Sequence, residues 1–235
     1  MLSFDRWAVV ALNHWVRRLP AFDHLVWQVG NSSLLKGGVA LTILWWLWFA
    51  PRGETIRARA KLLAALAGGF VALGAGRALA LLLPFRLRPV HEPALHLVRP
   101  YPVGPDELRS WSSFPSDHVM LFTALAVGMM PVSRRAGLFL LTWTLTVIAL
   151  PRLYLGLHYP SDVLGGALVG VAIALLLQVP RLRDRLAAPP LRWLERHPAS
   201  FYACLFLFTY QIATMFVDLR VLIPLVSAAL RALRR

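Results

Sequence analysis

Long stretches almost without charge dominate this sequence. Residues 25–51 carry a single charged side chain, Lys36, and residues 62–85 carry only Arg77. A helix needs about 20 mostly apolar residues to cross the hydrocarbon core of a bilayer, because unpaired backbone groups cannot be left there. These stretches are therefore typical of membrane-spanning helices.

The apolar pattern predicts an all-α, integral-membrane bundle of six transmembrane helices. The spans are predicted at residues 25–51, 62–85, 119–132, 136–151, 163–180 and 199–217. The third is short unless its helix begins near Pro115, and the tail from Arg220 is too short to count as a seventh. We expect one membrane-embedded domain over residues 1–235, because this length suits a compact helical domain.

The first residues predict an N-terminal helix that lies in the membrane interface. Phe4, Trp7, Ala11 and Trp15 recur at helical spacing, so one face of this helix is apolar. No small-residue cleavage site follows the brief apolar run, which argues against a secretory signal peptide.

The low content of charged residues indicates a membrane protein, and their distribution predicts its orientation. The chain is 58% hydrophobic and 15% charged, whereas soluble domains are about 45–50% apolar and about 25% charged. Its net charge of +14 comes mainly from arginines at the ends of apolar runs, which favours membrane topology over nucleic-acid binding. Residues 51–61, 133–135 and 181–198 hold four, two and five basic residues, so the positive-inside rule makes these connections cytoplasmic.

The two connections on the opposite side carry ionisable residues that a simple connector does not need. They are residues 86–118 and 152–162, and the first is too long to be only a linker. We expect their arginines, histidines and aspartates to converge at one face of a bacterial inner (plasma) membrane, toward the periplasm or cell exterior.

The sequence HYPSD places an acid one helical turn from a histidine. Pro160 suits the first turn of a helix, and Asp162 then lies within reach of one ring nitrogen of His158. Such a carboxylate fixes the tautomer and leaves the other nitrogen free to attack. This spacing predicts a nucleophilic histidine.

The sequence SSFPSDH places a candidate general acid, His118, near the predicted start of another helix. Ser112 or Ser113 can cap a helix that begins at Pro115, so that its free N–H groups face an anion. His118 can protonate a leaving oxygen.

Arginines accompany the histidines in both outward segments. Arg88 and Arg152 present planar forks suited to phosphate oxygens, so the set predicts phosphoryl transfer. Two histidines and an aspartate also match a zinc ligand set. The arginines would repel that cation, and we therefore expect neither a metal nor a cofactor.

Together the three segments resemble the signature of the type 2 phosphatidic acid phosphatase superfamily, which includes vanadium haloperoxidases. That signature runs Lys-x6-Arg-Pro, Pro-Ser-Gly-His and Ser-Arg-x5-His-x3-Asp. This chain has Arg88 before proline, then PSDH at 115–118, then Arg152, His158 and Asp162, in the same order. The resemblance covers the motif-bearing core, about residues 60–180.

The resemblance implies a role for each matching residue. His158 attacks phosphorus, and the phosphohistidine is then hydrolysed. His118 serves as the acid for the leaving group, and Asp162 orients His158. Phosphate is held by Arg88, Arg152 and Ser116.

Three departures from the signature bear on the substrate and on the site. Asp117 replaces the glycine of the second segment, as in members that resemble undecaprenyl pyrophosphate phosphatases, and we place it with the phosphate-binding groups. Pro151 replaces the serine before Arg152. Leu81 replaces the lysine, so one phosphate contact lacks its usual donor.

Three other cations can take the place of that lysine. Arg77 lies one turn before Leu81 on the same helix face. Lys36 follows NSS, a plausible helix cap, and Arg86 lies two residues before Arg88. We favour Arg77, then Lys36, then Arg86.

We therefore expect a metal-independent phosphatase that acts on a lipid phosphate or diphosphate in the outer leaflet. Undecaprenyl pyrophosphate is the favoured substrate, followed by phosphatidic acid and phosphatidylglycerol phosphate. The motif does not separate water from an alcohol acceptor, which leaves a lipid phosphotransferase open. Lys36 and Arg77, charged residues within spans, leave a non-enzymatic lipid-phosphate transporter open. The expected partners are the lipid phosphate and the surrounding membrane lipids, and not nucleic acid.

Overall fold

The computed structural model describes residues 2–50 and 55–217, and the described residues form helices and no β-strand. The predicted all-α class is confirmed for this part of the chain. The tail from Arg220 lies outside it. The helices are α1 (Ser3–Asn13), α2 (Pro20–Asn31), α3 (Val39–Phe49), α4 (Thr55–Leu82), α5 (Asp117–Met129), α6 (Arg134–Trp143), α7 (Leu150–Tyr154), α8 (Pro160–Leu177), α9 (Pro180–Arg196) and α10 (Pro198–Ala213).

Three of the described helices are long and apolar enough to cross a membrane. They are α4, α8 and the continuous segment Arg134–Tyr154, in which a π-helical turn joins α6 to α7. Helix α2 and the segment Leu34–Phe49 make a fourth candidate, bent by 53°. Helices α5 and α10 are apolar but shorter. Length and composition thus give three or four spans in the described chain.

Residues 181–198, predicted as a connection, form most of helix α9 instead. Pro180 is in its first turn, where a missing N–H costs little, and Leu182, Leu186 and Trp193 recur at near-helical spacing. Helix α9 packs against α4 and α10. The many arginines obscured this periodicity.

Helix α5 lies at the centre of the bundle, against α4, α6 and α8. Close contact with α8 depends on two glycines of α8. A Cβ on Gly166 would lie 2.5 Å from the carbonyl oxygen of Ser116, and one on Gly170 would lie 2.5 Å from that of Met120. This close contact holds the first turns of α5 and α8 together.

Helix α1 is present where the N-terminal helix was predicted. It packs against α7 and α8 and buries Asp5 and Val9. Phe4, Trp7 and Trp15 are exposed, so the apolar face points away from the bundle.

Candidate active site

A cavity of about 210 Å³ lies where α4, α5, α7 and the α4–α5 connection meet. Six residues predicted for the site line it together with Leu108 and Trp111: Arg77, Arg88, Asp117, His118, Arg152 and His158. Residues from the three signature segments are therefore brought together.

His158 lies in the turn between α7 and α8 and is only 2% exposed. Its Nδ1 lies 2.8 Å from the carbonyl oxygen of Ser113. A carbonyl can only accept, so Nδ1 donates the proton and Nε2 carries the free lone pair. Nε2 lies 3.4 Å from Nη1 of Arg88, at the cavity.

Burial keeps the His158 ring neutral. It lowers the pKa of His158, and the positive charges of Arg88 and Arg152 lower it further, against the opposing effect of Asp162. A neutral ring with an unprotonated Nε2 is the form that can attack an electrophile.

Asp162 lies near His158 but makes its short contacts elsewhere. Its Oδ2 accepts from the backbone N–H of Tyr159 at 2.7 Å, as a carboxylate in the first turn of α8 can. Its Oδ1 accepts from Nη1 of Arg86 at 2.6 Å. The distance from Oδ2 to Nδ1 of His158 is 3.6 Å, too long for a hydrogen bond. The ring proton goes to Ser113, and Asp162 acts on His158 through its charge.

Arg88 is held by backbone carbonyls and not by a carboxylate. Its guanidinium donates to the carbonyl oxygens of Leu108, Ser112, Trp111 and Leu157 at 2.6–3.3 Å. No ion pair with Arg88 occurs within residues 2–50 and 55–217. A fixed guanidinium whose charge has no such partner is suited to hold an anion.

Two buried polar atoms near the cavity have no hydrogen-bond partner among the residues that the structure describes. Arg152 is 4% exposed and reaches the carbonyl oxygen of Gly30 with Nη2 at 3.4 Å. In the described part of the chain, neither Nε of Arg152 nor Oγ of Ser116 has a hydrogen-bond partner. Burying unpaired polar groups is unfavourable, so a phosphate that accepted from either group would remove part of that cost.

Asp117 joins His118 to Arg77. Its Oδ1 lies 2.8 Å from Nδ1 of His118, and its Oδ2 lies 2.8 Å from Nη2 of Arg77. The carboxylate was predicted among the phosphate-binding groups, but here it holds two cavity-lining side chains. Since Nδ1 of His118 faces this carboxylate, Nε2 is the nitrogen left for a ligand.

The predicted serine cap of α5 is wrong. The Oγ of Ser112 accepts from the backbone N–H of Arg86, and that of Ser113 donates to the carbonyl oxygen of Leu87. Both serines therefore fix the connection before the helix, and α5 begins at Asp117 rather than at Pro115.

Lys36 lies close to the cavity without lining it. It falls in the π-helical turn Leu34–Gly38, which directly follows the break between α2 and the segment Leu34–Phe49, and is 8% exposed. Oγ of Ser32 accepts from the backbone N–H of Leu35, which confirms the predicted cap. The Lys36 charge interacts with those of Arg152 and Asp117.

Arg86 points away from the cavity. Its Nη2 lies 2.7 Å from Oδ2 of Asp5, while Nη1 pairs with Asp162. Of the three candidates for the missing lysine, Arg77 is therefore the one that lines the cavity.

Sequence reasoning missed Asp5, Trp111 and the carbonyl group of Ser113. A backbone acceptor leaves no signature in sequence, and nothing near Asp5 indicates a partner some eighty residues away. Trp111 could have been found, because it directly precedes the SSFPSDH motif.

The family model of the PAP2 superfamily matches residues 60–183, more than half of the chain. The chain belongs to the PAP2 superfamily. With at least three helices long enough to cross a bilayer, it is a membrane protein. No solved structure matched it.

Curated relatives of the chain carry phosphatase and transport names. Undecaprenyl-diphosphatase BcrC of Bacillus subtilis is 36% identical over 69 residues, 28% of this chain and 33% of that protein. Bacitracin transport permease protein BcrC of Bacillus licheniformis is 38% identical over 66 residues, 28% and 32% of the two chains. Decaprenylphosphoryl-5-phosphoribose phosphatase of Mycobacterium tuberculosis is 37% identical over 137 residues, 56% of this chain and 69% of that protein. The matched region thus spans about a third of the Bacillus proteins.

Proposed function

We propose that this protein is a metal-independent phosphatase that hydrolyses a lipid phosphate or diphosphate through a phosphohistidine on His158. The observation that carries the proposal is the unprotonated Nε2 of His158, which lies at a cavity also lined by His118 and three arginines. Guanidinium groups neutralise the charge of a phosphoryl group, as a metal ion would in other phosphatases.

The first step forms a bond between Nε2 of His158 and phosphorus. The bond from phosphorus to the leaving oxygen breaks, and the electron pair of that bond goes to the leaving oxygen. The same oxygen takes a proton from Nε2 of His118. Water then attacks the phosphohistidine, its proton returns to His118, and the N–P electron pair returns to His158. The products are inorganic phosphate and either a lipid alcohol or a lipid monophosphate.

The remaining residues hold the phosphate or the two histidines. Arg88 and Arg152 bind the equatorial oxygens, helped by Ser116, and Arg77 supplies the cation that the signature lysine otherwise provides. Lys36 adds positive charge nearby. Asp117 aligns His118 and Arg77, and Asp162 stabilises the His158 imidazolium through its charge.

We place undecaprenyl pyrophosphate first among the substrates. The SDH form of the second segment supports this choice, as does a relative named undecaprenyl-diphosphatase. A prenyl-linked phosphorylated sugar is the second candidate, because the relative named decaprenylphosphoryl-5-phosphoribose phosphatase is matched over 69% of its length. Phosphatidic acid and phosphatidylglycerol phosphate follow.

The proposed setting is a bacterial inner membrane that the chain crosses six times as one domain. The bent segment α2–α3, helices α4, α5 and α8, the segment Arg134–Tyr154 and α10 would be the spans, with α1 in the interface. The basic connections on the other side support an active site that faces the periplasm or cell exterior.

The test is phosphate release by purified protein in detergent. The panel holds undecaprenyl pyrophosphate, undecaprenyl phosphate, decaprenylphosphoryl-5-phosphoribose, phosphatidic acid and phosphatidylglycerol phosphate. We expect the prenyl substrates to be hydrolysed fastest, and His158→Ala to release nothing above background. A phosphotransferase would instead yield a phosphorylated alcohol when one is added, and a transporter would move lipid across vesicles without phosphate release. Either result in place of hydrolysis would overturn the proposal.

A further inference from the structure

Asp5 of helix α1 is a fully buried carboxylate with three short hydrogen bonds. Its Oδ1 accepts from the backbone N–H of Ser161 at 2.9 Å, and its Oδ2 accepts from Oγ of Ser161 at 2.6 Å and from Nη2 of Arg86 at 2.7 Å. Burial alone would raise the pKa of Asp5, but these contacts outweigh it and leave the pKa below its ordinary value. Asp5 is therefore an anion at the first turn of α8, where the helix dipole also favours it.

Arg86 is shared between two buried carboxylates. One of its terminal nitrogens pairs with Asp5, the other pairs with Asp162, and the guanidinium lies 4.1 Å from the centroid of the Tyr159 ring. Asp162 is in turn 3.6 Å from Nδ1 of His158. A continuous chain of contacts thus runs from helix α1 to the proposed nucleophile.

We infer that Asp5 is a positioning residue for His158, acting through Arg86 and Asp162, and that helix α1 is thereby part of the active site. This inference rests on the proposed role of His158 as the nucleophile. Asp5 does not line the cavity, so it acts without touching the substrate.

The sharing of Arg86 between two carboxylates predicts how loss of Asp5 would change the reactivity of His158. With Asp5 in place, Arg86 divides its positive charge between two acids, and Asp162 keeps negative charge to stabilise the cationic ring that forms when His158 bonds to phosphorus. Without Asp5, Arg86 neutralises Asp162 more fully, and one anion is lost as well. Both changes disfavour the positive ring, so they lower the pKa of His158 and weaken it as a nucleophile.

The other ionisable groups around Asp5 and His158 stay in place when Asp5 is changed. Around Asp5 and Arg86 they are Asp162, Tyr159 and Glu92. Around His158 they are Arg88, Arg152, Asp162 and Asp117. Because none of these groups is altered, a change in the titration of His158 can be assigned to Asp5.

The alternative is a purely structural role, in which Asp5 only anchors helix α1. Asp23 provides the matched control. Asp23 of α2 is equally buried, and its carboxylate accepts from the hydroxyl of Tyr154 at 2.6 Å and from the backbone N–H of Arg17 and Tyr101. It does not contact Arg86 or Asp162. Asp23→Asn therefore removes a buried anchoring charge outside the chain of contacts to His158.

The kinetic experiment compares Asp5→Asn, Asp5→Glu and Asp23→Asn on the purified full-length protein. We expect Asp5→Asn to lower kcat for phosphate release by about tenfold to a hundredfold, with KM changed by less than about twofold. Asp5→Glu keeps the charge and should recover part of the loss. Asp23→Asn should lower the melting temperature without this selective loss of kcat.

A second experiment measures the titration of His158 in the absence of a lipid substrate. Diethyl pyrocarbonate acylates an unprotonated ring nitrogen, and mass spectrometry of the His158 peptide gives the pH midpoint of the reaction. We expect Asp5→Asn to move this midpoint to lower pH by about half a unit, and Asp23→Asn to leave it unchanged. Should wild type release no phosphate from any lipid, the proposed function fails, while these midpoints still test Asp5.

The inference is overturned if the acylation midpoint of Asp5→Asn equals that of wild type. It is also overturned if Asp5→Asn and Asp23→Asn lose activity only in proportion to their lost stability, because α1 would then be an anchor alone.

Discussion

Nη2 of Arg77 lies 2.8 Å from Oδ2 of Asp117, and the Arg77 guanidinium lies 4.4 Å from the centre of the Trp111 ring. These two contacts hold a cation from α4 at the cavity, in a protein whose signature lysine is replaced by Leu81. Leu81 itself is 86% exposed and has no place at the site. The geometry therefore favours Arg77 as the substitute.

We predict that Arg77→Ala lowers turnover by about tenfold to a thousandfold, equivalent to roughly 1.4–4 kcal/mol of transition-state stabilisation. Inhibition by orthovanadate should weaken in parallel, and Arg77→Lys should retain part of both. Arg109→Ala is the control, because Arg109 belongs to the α4–α5 connection but is exposed, and within residues 2–50 and 55–217 its one ion pair is with Asp106. Full activity of Arg77→Ala would leave Arg88, Arg152 and the start of α5 as the phosphate site.

The second prediction is that replacing Lys36 lowers activity without lowering thermal stability. It is buried near Arg152, and no carboxylate lies within ion-pair distance of it among the described residues, so its charge is held at a cost. Lys36→Met should lower phosphate release by about tenfold or more, while thermal unfolding in detergent occurs at an equal or higher temperature. A variant with normal turnover would mark Lys36 as structural.

The order of the signature residues was enough to predict which side chains meet. His158 and Asp162 flank the start of α8, His118 lies in the first turn of α5, and Arg152 lies within α7. The spacing of His158 and Asp162 follows from Pro160, which begins α8, whereas α5 begins two residues after Pro115. The partners within the site were harder to predict, because Asp162 had several possible donors and the sequence does not rank them.

Long-range contacts account for most of what the sequence could not supply. Asp5 and Arg86 are 81 positions apart, and His158 and Ser113 are 45 apart. Such pairs form only because the helices pack in one particular arrangement. The bend just before Lys36 lies at the NSS sequence, which predicted a helix cap but not the 53° angle between α2 and the segment Leu34–Phe49.

The proposed nucleophile leads to a third prediction. His158→Ala should reduce phosphate release by several orders of magnitude, since no covalent intermediate can form. Gel filtration and thermal unfolding check that the variant is folded, and rapid acid-free quenching with phosphohistidine detection should find the intermediate in wild type only. Near-normal release from a folded variant would reject His158 as the nucleophile.

Metal independence gives a fourth prediction. Activity should survive EDTA, because the arginines supply the charge neutralisation. Orthovanadate should inhibit, since its five-coordinate adduct on Nε2 of His158 resembles the transition state. Loss of activity in EDTA that zinc or magnesium restores would contradict this prediction.

The last prediction concerns the side of the membrane on which the site lies. Asp106 and Asp184 are both exposed aspartates, one in the α4–α5 connection near the cavity and one in α9. In a Cys204→Ser background, we expect Asp106→Cys to react with a membrane-impermeant maleimide in intact cells and Asp184→Cys to react only after permeabilisation. The physical reason is the basic character of α9 and of the connections on its side, which the positive-inside rule assigns to the cytoplasm. Both aspartates are exposed, so the ion pairs that are lost contribute little and both variants should fold. The opposite labelling pattern would place the cavity at the cytoplasmic face and its lipid substrate in the inner leaflet.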